Sequence, residues 1–170
     1  MTIDAGLRAV REELVRAHMT DENTLDFGKV LATFPHPHYE IIPTGAIFDG
    51  RVTVENYYRE SRGAFPDQRN ELISLRHADD AVIVEFWLRG THLGALGHVP
   101  PTGRAFEVRM TAFFIFEDGR LVCERVYFDA MTMLRQLLSG VSLRRPASLL
   151  TLLRTLRGLG RNQRESERRV

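Results

Sequence analysis

Three long stretches of alternating apolar and polar residues, between residues 81 and 129, constrain the fold more than any other feature of this sequence. They read AVIVEFWLRGTH, RAFEVRMTAFFIFE and RLVCERVYFD, and they are separated by PPTG and by Asp118-Gly119. A period of two is typical of strands that bury one face, and turns containing Pro or Gly join antiparallel neighbours. We therefore expect an antiparallel sheet, with a further strand at residues 70–77.

Helical periodicity comes earlier in the chain. Residues 4–19 place Leu7, Val10, Leu14 and His18 on one face, opposite charged side chains, which predicts an amphipathic helix. Shorter helices are predicted at 24–34 and 52–63, with a strand, a Pro-Thr-Gly turn and another strand between them. Helices followed by a run of strands indicate an α+β domain, in which the helices cover the apolar face of a curved sheet.

Composition narrows the class of protein. The 170 residues are 44% hydrophobic and 26% charged, which suits one domain with a sizeable core. The chain contains neither a long uncharged apolar stretch nor a basic-then-apolar N-terminus, so we expect a soluble, cytoplasmic protein. The single Cys123 excludes an internal disulfide. Eight arginines follow residue 143, and without them the domain is acidic, so we expect no nucleic-acid partner.

Short motifs in a fixed order point to a family. They are FPD at 65–67, GTH at 90–92, PPTG at 100–103, EDG at 117–119 and an aspartate followed by a Leu-x-Gln-Leu helix. In this order, over roughly residues 5–138, the chain resembles the SnoaL-like polyketide and ester cyclases of the nuclear-transport-factor-2-like superfamily.

The resemblance implies a cone-shaped α+β domain at residues 1–140, in which a strongly bent sheet wraps around N-terminal helices. It also implies a deep, mostly apolar pocket for a small hydrophobic molecule, a homodimer formed through the sheet, and no cofactor.

The resemblance further implies that Asp129, after the last strand, moves a proton next to a carbonyl. If that strand is regular, Arg125, Tyr127 and Asp129 share one face. Burial in an apolar pocket would raise the pKa of Asp129 toward the range of a general base. The alternative is that Asp129 caps the helix beginning at Ala130. The family often has tryptophan where Arg125 stands, and it has a histidine in the preceding strand that this chain lacks.

Other residues are candidates beside Asp129, each with a structural alternative. Arg125 either binds a substrate oxygen through its forked donors or pairs with Glu85 or Glu107. Tyr127 either stabilises an oxyanion or belongs to the core. His92 either assists proton transfer at the pocket rim or is a satisfied structural histidine. The residues expected to line the pocket and bind substrate are His36, Tyr39, Tyr57, Tyr58, Phe86, Met110 and Phe114.

The stretch HPHYE raises the question of a metal, because His36 and His38 form a His-x-His pair. Imidazole is a common zinc ligand. No second His, Asp or Glu cluster at helical spacing completes a site, so we expect no metal. The prolines then fix a rigid start to the following strand.

We expect residues 141–170 to form a separate unit, a basic amphipathic helix and tail. A leucine stripe runs beside an arginine stripe, which can lie on an anionic membrane surface. We favour docking on the domain or a dimer partner, because the helix has only about four turns.

The family resemblance and the candidate residues together predict a cofactor-independent acid–base enzyme. It would be a cyclase, isomerase or hydrolase acting on a small hydrophobic carbonyl or polyketide-like compound. The alternative is a non-catalytic, dimeric module that binds a hydrophobic ligand. A dimeric scaffold, with its interior filled by side chains, is a third possibility.

Overall fold

A computed structural model of the chain describes residues 4–139, which form four helices and six strands. The predicted basic unit at residues 141–170 lies outside the described residues. A short 3-10 turn, Ile42–Thr44, separates the first two strands. The elements are α1 (Ala5–Asn23), α2 (Phe27–Ala32), β1 (His38–Ile41), β2 (Ala46–Asp49), α3 (Arg51–Ala64), β3 (Arg69–His77), β4 (Ala81–Thr91), β5 (Ala105–Glu117), β6 (Arg120–Phe128) and α4 (Ala130–Leu137).

The six strands form one curved sheet in the order β2-β1-β6-β5-β4-β3. The predicted α+β fold is confirmed, but the sheet is mixed instead of wholly antiparallel, because β1 runs parallel to β6. A parallel neighbour requires a long crossover connection, which the chain between β1 and β6 provides.

The inner face of the sheet packs against the helices, as the alternation in β4 and β5 predicts. Alternate residues of both strands are buried, from Val82 to Leu88 and from Phe106 to Phe116. They form one core with Val15 of α1 and Val54 of α3. Within residues 4–139, no helix combines the length and the apolar character needed to cross a bilayer.

A bulge in β6 changes which side chains face the core. Ile115 pairs with Cys123 but the next residue, Phe116, pairs with Leu121, so β6 carries one extra residue between these pairs. Leu121 and Glu124 consequently both face inward, although they are three positions apart. Arg125, by the same shift, lies on the outer face.

Two pairs of sequence segments that carry these motifs are joined by hydrogen bonds. Asp67 of FPD accepts hydrogen bonds from the backbone N–H and the hydroxyl of Thr91 in GTH, each at 2.7 Å. Gln136 of the Leu-x-Gln-Leu helix contacts the backbone of Glu107. Its Oε1 accepts from the Glu107 N–H at 2.7 Å, and its Nε2 donates to the Glu107 carbonyl at 2.8 Å.

Replacing Gln136 with alanine is expected to lower the free energy of unfolding by about 1–3 kcal/mol, because both hydrogen bonds are lost. Gln136 satisfies the backbone of β5 beyond Met110, where the pairing with β6 ends. Urea denaturation measures the loss. Arg135→Ala, at an exposed position of the same helix, is the control and should change stability by less than about 0.5 kcal/mol. Equal effects of the two variants would contradict the assignment.

Candidate functional site

A cluster of polar side chains is buried between the inner face of the sheet and the helices. We call it the interior cluster, and it consists of His18 and Glu22 from α1, Tyr39 from β1, Tyr58 from α3 and Glu124 from β6. Each of these residues is at most 8% exposed. Burial at this level is unusual for carboxylates unless they are paired, so the contacts within the cluster decide its chemistry.

A directed chain of hydrogen bonds links the two tyrosines to Glu22. The Tyr58 hydroxyl donates to Glu22 Oε1 at 2.7 Å. The Tyr39 and Tyr58 oxygens are 2.8 Å apart. Since the proton of Tyr58 points to Glu22, Tyr39 is the donor in this second bond. Asn70 Nδ2 donates to the other Glu22 oxygen at 2.7 Å.

The tautomer of His18 follows from its neighbours. The Thr33 hydroxyl donates to the Val30 carbonyl at 2.7 Å, so it accepts from His18 Nδ1 at 3.0 Å. His18 Nε2 lies 3.2 Å from the Tyr39 oxygen, whose own proton is used on Tyr58, and 3.2 Å from Glu124 Oε2. Both neighbours of Nε2 are acceptors, so His18 is an imidazolium with a proton on each nitrogen.

Burial and charge oppose each other at His18 and reinforce each other at Glu22. Burial lowers the pKa of His18, but the pairing with Glu124 and the charge of Glu22 outweigh it, and the net pKa is raised. Burial and the negative charge of Glu124 raise the pKa of Glu22. Burial, with the nearby carboxylates, also raises the pKa of both tyrosines, which stay neutral donors.

The interior cluster can therefore hold a proton and transfer it over short distances. Two carboxylates share one imidazolium, and the phenols connect them. The titrating groups of such a coupled set act together, and perturbed groups of this kind are typical of acid–base sites. The donor atoms of His18, Glu22 and Glu124 lie within 4.8 Å of one another. The proton on His18 Nε2 lies where a metal ion bound by these three residues would have to lie.

Several residues predicted to line a pocket lie in or beside this cluster. Tyr39 and Tyr58 belong to it, and the Phe114 ring meets His18 edge-on at a centroid distance of 5.2 Å. Tyr57 is half-buried, with its ring 6.1 Å from Tyr39. Phe86 and Met110 are buried further along the same inner face. Their contact with a substrate remains a prediction.

Asp129 lies elsewhere, at the exposed N-terminus of α4. Its carboxylate accepts hydrogen bonds from the backbone N–H groups of Met131 at 3.0 Å and Thr132 at 2.9 Å, and from the Thr132 hydroxyl at 2.6 Å. The bonds from Thr132 lower the pKa of Asp129. This corrects the expected rise in pKa, because the carboxylate is a solvent-exposed helix cap and is not desolvated.

Arg125 and Tyr127 are on the outer face of the sheet, as the bulge dictates. Arg125 pairs with Glu40 of β1, through Nε and through NH2 at 3.2 Å, and not with Glu85 or Glu107. Tyr127 is 40% exposed and packs edge-on against Phe113. Neither residue contacts the interior cluster, so the catalytic roles predicted for them have no support in this geometry.

The two remaining predicted histidines are also distant from the cluster. His92 is fully buried at the end of β4, where Nδ1 lies 3.2 Å from the Thr102 hydroxyl and burial lowers its pKa. Val82 lies level with Glu124 in the sheet, because both pair with Phe114. His92 comes ten residues after Val82, which is about 30 Å further along the strand. His36 is exposed, with Nε2 2.9 Å from Asp49 Oδ1.

Sequence reasoning missed the two acidic members of the cluster. Glu22 follows His18 by four residues, on the buried stripe of α1 that also holds Val15 and Met19, so helical spacing could have found it. Glu124 gives no such signal, because strand alternation places it opposite Leu121 and only the bulge brings both inward.

Comparison with solved structures identifies the fold as the nuclear-transport-factor-2-like, ketosteroid isomerase-like type. A protein with a "ketosteroid isomerase-like protein fold" from Catenulispora acidiphila is 18% identical, with a TM-score of 0.63 over 73% of this chain and 91% of that one. AclR from Streptomyces galilaeus, described as "a putative hydroxylase", is 21% identical, with a TM-score of 0.65 over 76% of this chain and 85% of that one.

The family follows from the sequence match. The model of the SnoaL-like polyketide cyclases matches residues 26–137, and the chain belongs to this family. IdmH from Streptomyces antibioticus, described as "a putative polyketide cyclase", is 25% identical, with a TM-score of 0.63 over 75% of this chain and 97% of that one. Proteins with curated descriptions gave no match.

Proposed function

We propose that this protein is a cofactor-independent acid–base enzyme that acts on a small hydrophobic carbonyl or polyketide-like compound, as a cyclase, isomerase or hydrolase. The observation that carries the proposal is the interior cluster, in which an imidazolium, two carboxylates and two phenols are buried in contact. Membership of the SnoaL-like family supports the class of substrate. One fold hosts many chemistries, so the reaction is argued from the site.

Glu124 is the proton-transfer group in this proposal. Its Oε2 is buried and, apart from the ion pair with His18, has no hydrogen-bond partner. That oxygen can take a proton from carbon next to a carbonyl and return it elsewhere on the product. The proton on His18 Nε2 is the second proton that the ion pair of His18 and Glu124 can transfer.

The phenols supply the hydrogen bonds that a developing oxyanion needs. Tyr39 and Tyr58 remain protonated because burial and the carboxylates raise their pKa. Both hydroxyl protons are used within the cluster before a substrate binds, so Tyr39 turns from Tyr58 to donate to the carbonyl oxygen on which negative charge develops. Phe86, Met110 and Phe114 are core residues of the same inner face, and in this proposal the rest of the substrate packs against them.

A second candidate is the non-catalytic binding module. Two observations favour it. Asp129, which matches the family's aspartate, is engaged as a helix cap, and Arg125 is paired with Glu40. In that case the apolar inner face binds a ligand and the interior cluster only stabilises it.

We further propose a homodimer formed through the outer face of the sheet, and a cytoplasmic location. The exposed Tyr127 and Ile47 on the strands β6 and β2 support the first, and the family supports both. Sedimentation velocity measures the first and cell fractionation the second.

The enzyme proposal predicts that Glu124→Gln lowers turnover at least about 100-fold, because the general base is lost while shape is kept. Turnover is measured with a panel of β-keto esters and short polyketide-type esters, by proton exchange at the carbon between the carbonyls. The matched control is Asp129→Asn, which should stay within a few-fold of wild type. Circular dichroism verifies that both variants fold.

Three outcomes separate the alternatives. Loss of turnover in Asp129→Asn but not in Glu124→Gln would overturn the interior site and restore the family position. Loss in Glu124→Gln alone supports the proposal. Binding of the esters without turnover by the wild type, measured by calorimetry, would establish the binding module instead.

A further inference from the structure

A second group of side chains converges on the outer face of the sheet, where β1 lies beside β6. His38 and Glu40 of β1 and Cys123 of β6 each direct one donor atom to a common point, and these atoms lie within 4.8 Å of one another. His38 Nε2 is 3.4 Å from Glu40 Oε1. We propose that this outer-face trio, His38, Glu40 and Cys123, binds a zinc ion.

The separation between the imidazole and carboxylate donors suits zinc geometry, and the thiol lies within 4.8 Å of both. Zinc bonds of about 2.0–2.3 Å to N, O and S at tetrahedral angles place neighbouring donor atoms about 3.3–3.8 Å apart. The distance between His38 Nε2 and Glu40 Oε1 falls in this range. Three protein donors leave the fourth position of a tetrahedron for water, as in zinc sites that bind a further ligand.

The trio is assembled by strand pairing and not by spacing in the sequence. β1 and β6 are parallel, with Tyr39 opposite Glu124 and Glu40 opposite Arg125. One position before this register stand His38 and Cys123, so both side chains emerge on the same face. His38 therefore meets Glu40 two positions along its own strand and Cys123 on the neighbouring strand, which a search at helical spacing does not reach.

Asp49 orients the imidazole for metal binding. Its Oδ1 is 2.9 Å from His38 Nδ1, and a carboxylate can only accept, so His38 Nδ1 carries the proton. Nε2 lies 3.4 Å from Glu40 Oε1, and a zinc ion bound there takes the place of any proton that Nε2 shares with this carboxylate. A carboxylate that fixes the tautomer of a ligating histidine is a recurrent second layer of zinc sites.

Glu40 is held in place as well. Arg125 binds it with Nε on Oε2 and NH2 on Oε1, and each carboxylate oxygen keeps a further lone pair for a cation. The Glu40 side chain is 20% exposed and Cys123 is 7% exposed, so the ligands are partly shielded from solvent in the single chain.

The donor set selects the metal. A thiolate with an imidazole and a carboxylate suits zinc and disfavours magnesium and calcium, which prefer oxygen donors alone. On binding, the Cys123 thiol releases its proton to solvent, and the site of Zn²⁺, thiolate, Glu40 and its Arg125 partner carries a net charge of about +1. The site lies on the opposite face of the sheet from the interior cluster, so it is independent of the proposed activity.

Cobalt substitution gives a test with one specific readout. Cys123 is the only cysteine of the whole chain, so a sulfur-to-cobalt charge-transfer band in the metal-free protein loaded with Co²⁺ identifies this site. We expect the band at one Co²⁺ per chain, and its removal by one equivalent of Zn²⁺. A Co²⁺ spectrum without the band would overturn the proposal. This experiment uses only the wild-type protein.

Variants test the individual roles by calorimetric titration of the full chain with ZnCl2. Cys123→Ser and His38→Ala should each weaken zinc binding by more than 100-fold, and Asp49→Asn by about 10–100-fold. The control is His77→Ala, a histidine of β3 that contacts Glu12 and lies outside the trio, which should keep the wild-type affinity within a few-fold. Equal affinity in wild type and Cys123→Ser would mean adventitious binding at surface histidines and would overturn the site.

Discussion

Replacing Gly94 with alanine should destabilise the protein by more than about 4 kcal/mol. A Cβ atom at this position would lie 2.0 Å from the Gly63 carbonyl oxygen and 2.8 Å from its carbon. Both are backbone atoms at the end of α3, so no side-chain rotation can relieve the overlap. The chain after β4 is hydrogen-bonded to the end of α3 at this point. The N–H groups of Leu93 and Gly94 donate to the Ala64 carbonyl at 3.0 and 3.1 Å.

The partner in this contact provides a matched control. A Cβ atom on Gly63 would meet nothing within 4 Å, and Gly63 lies inside α3. Gly63→Ala should therefore stabilise the protein by about 0.5–1 kcal/mol, because glycine is unfavourable inside a helix. Both values come from urea denaturation. A loss below about 1 kcal/mol in Gly94→Ala would show that the chain after β4 does not pack against α3 in solution.

The regular parts of the fold were predictable because local pattern and long-range packing agree in them. In β4 and β5 every second residue is apolar and every second residue is buried, so alternation alone identifies the inner face. The parallel neighbour of β6 was not predictable in this way. Which strand pairs with β1 depends on how α3 and β3 route the chain, and the alternation of β1 is the same in either case.

The last strand shows why alternation does not bring Arg125, Tyr127 and Asp129 together on the inner face. Alternation placed Arg125, Tyr127 and Asp129 together on one face, and the structure keeps the first two together, but on the outer face. One extra residue in β6 reverses the parity between Leu121 and Glu124. The residues LVCE do not reveal the bulge by alternation, because Leu121 and Cys123, of one parity, and Glu124, of the other, are all buried.

The interior cluster depends on contacts that sequence spacing cannot encode. Its members come from α1, β1, α3 and β6, and the proton on His18 Nε2 is fixed only when Tyr39, Tyr58 and Glu22 are in place together. The helix cap at Asp129 is the opposite case. It involves residues 129–132 alone, and the sequence alternative that made Asp129 a cap is confirmed.

The cluster also has a consequence for stability, which should fall as the pH rises from weakly acidic to alkaline. Glu22 has a raised pKa in the folded protein, so its contribution to stability is fully present below its ordinary pKa of 4.5 and is lost as the pH rises through the folded value. His18 also has a raised pKa, and its contribution is lost above the ordinary value of 6.5. Both effects have the same sign, and each unit of raised pKa corresponds to about 1.4 kcal/mol.

Glu22→Gln should remove most of this pH dependence and raise the melting temperature above that of wild type at alkaline pH. The amide is neutral at every pH, and its oxygen can still accept from Tyr58. Its new N–H groups find an acceptor in Asn70 Oδ1, which has no hydrogen-bond partner in the wild type, once the Asn70 amide rotates. Losing the Glu22 charge also removes part of what holds the pKa of His18 up.

Melting temperatures between pH 4.5 and 9 for wild type, Glu22→Gln and Glu13→Gln measure the effect. Glu13 is exposed on the same helix, so its variant should follow the wild-type curve. The separation between Glu22→Gln and wild type should widen as the pH rises, because only the wild type acquires a second buried negative charge beside Glu124. A separation that stays constant with pH would mean that Glu22 titrates alike in the folded and unfolded chain. The two carboxylates would then not compete for the proton of His18, and the acid–base role assigned to the interior cluster would lose its physical basis.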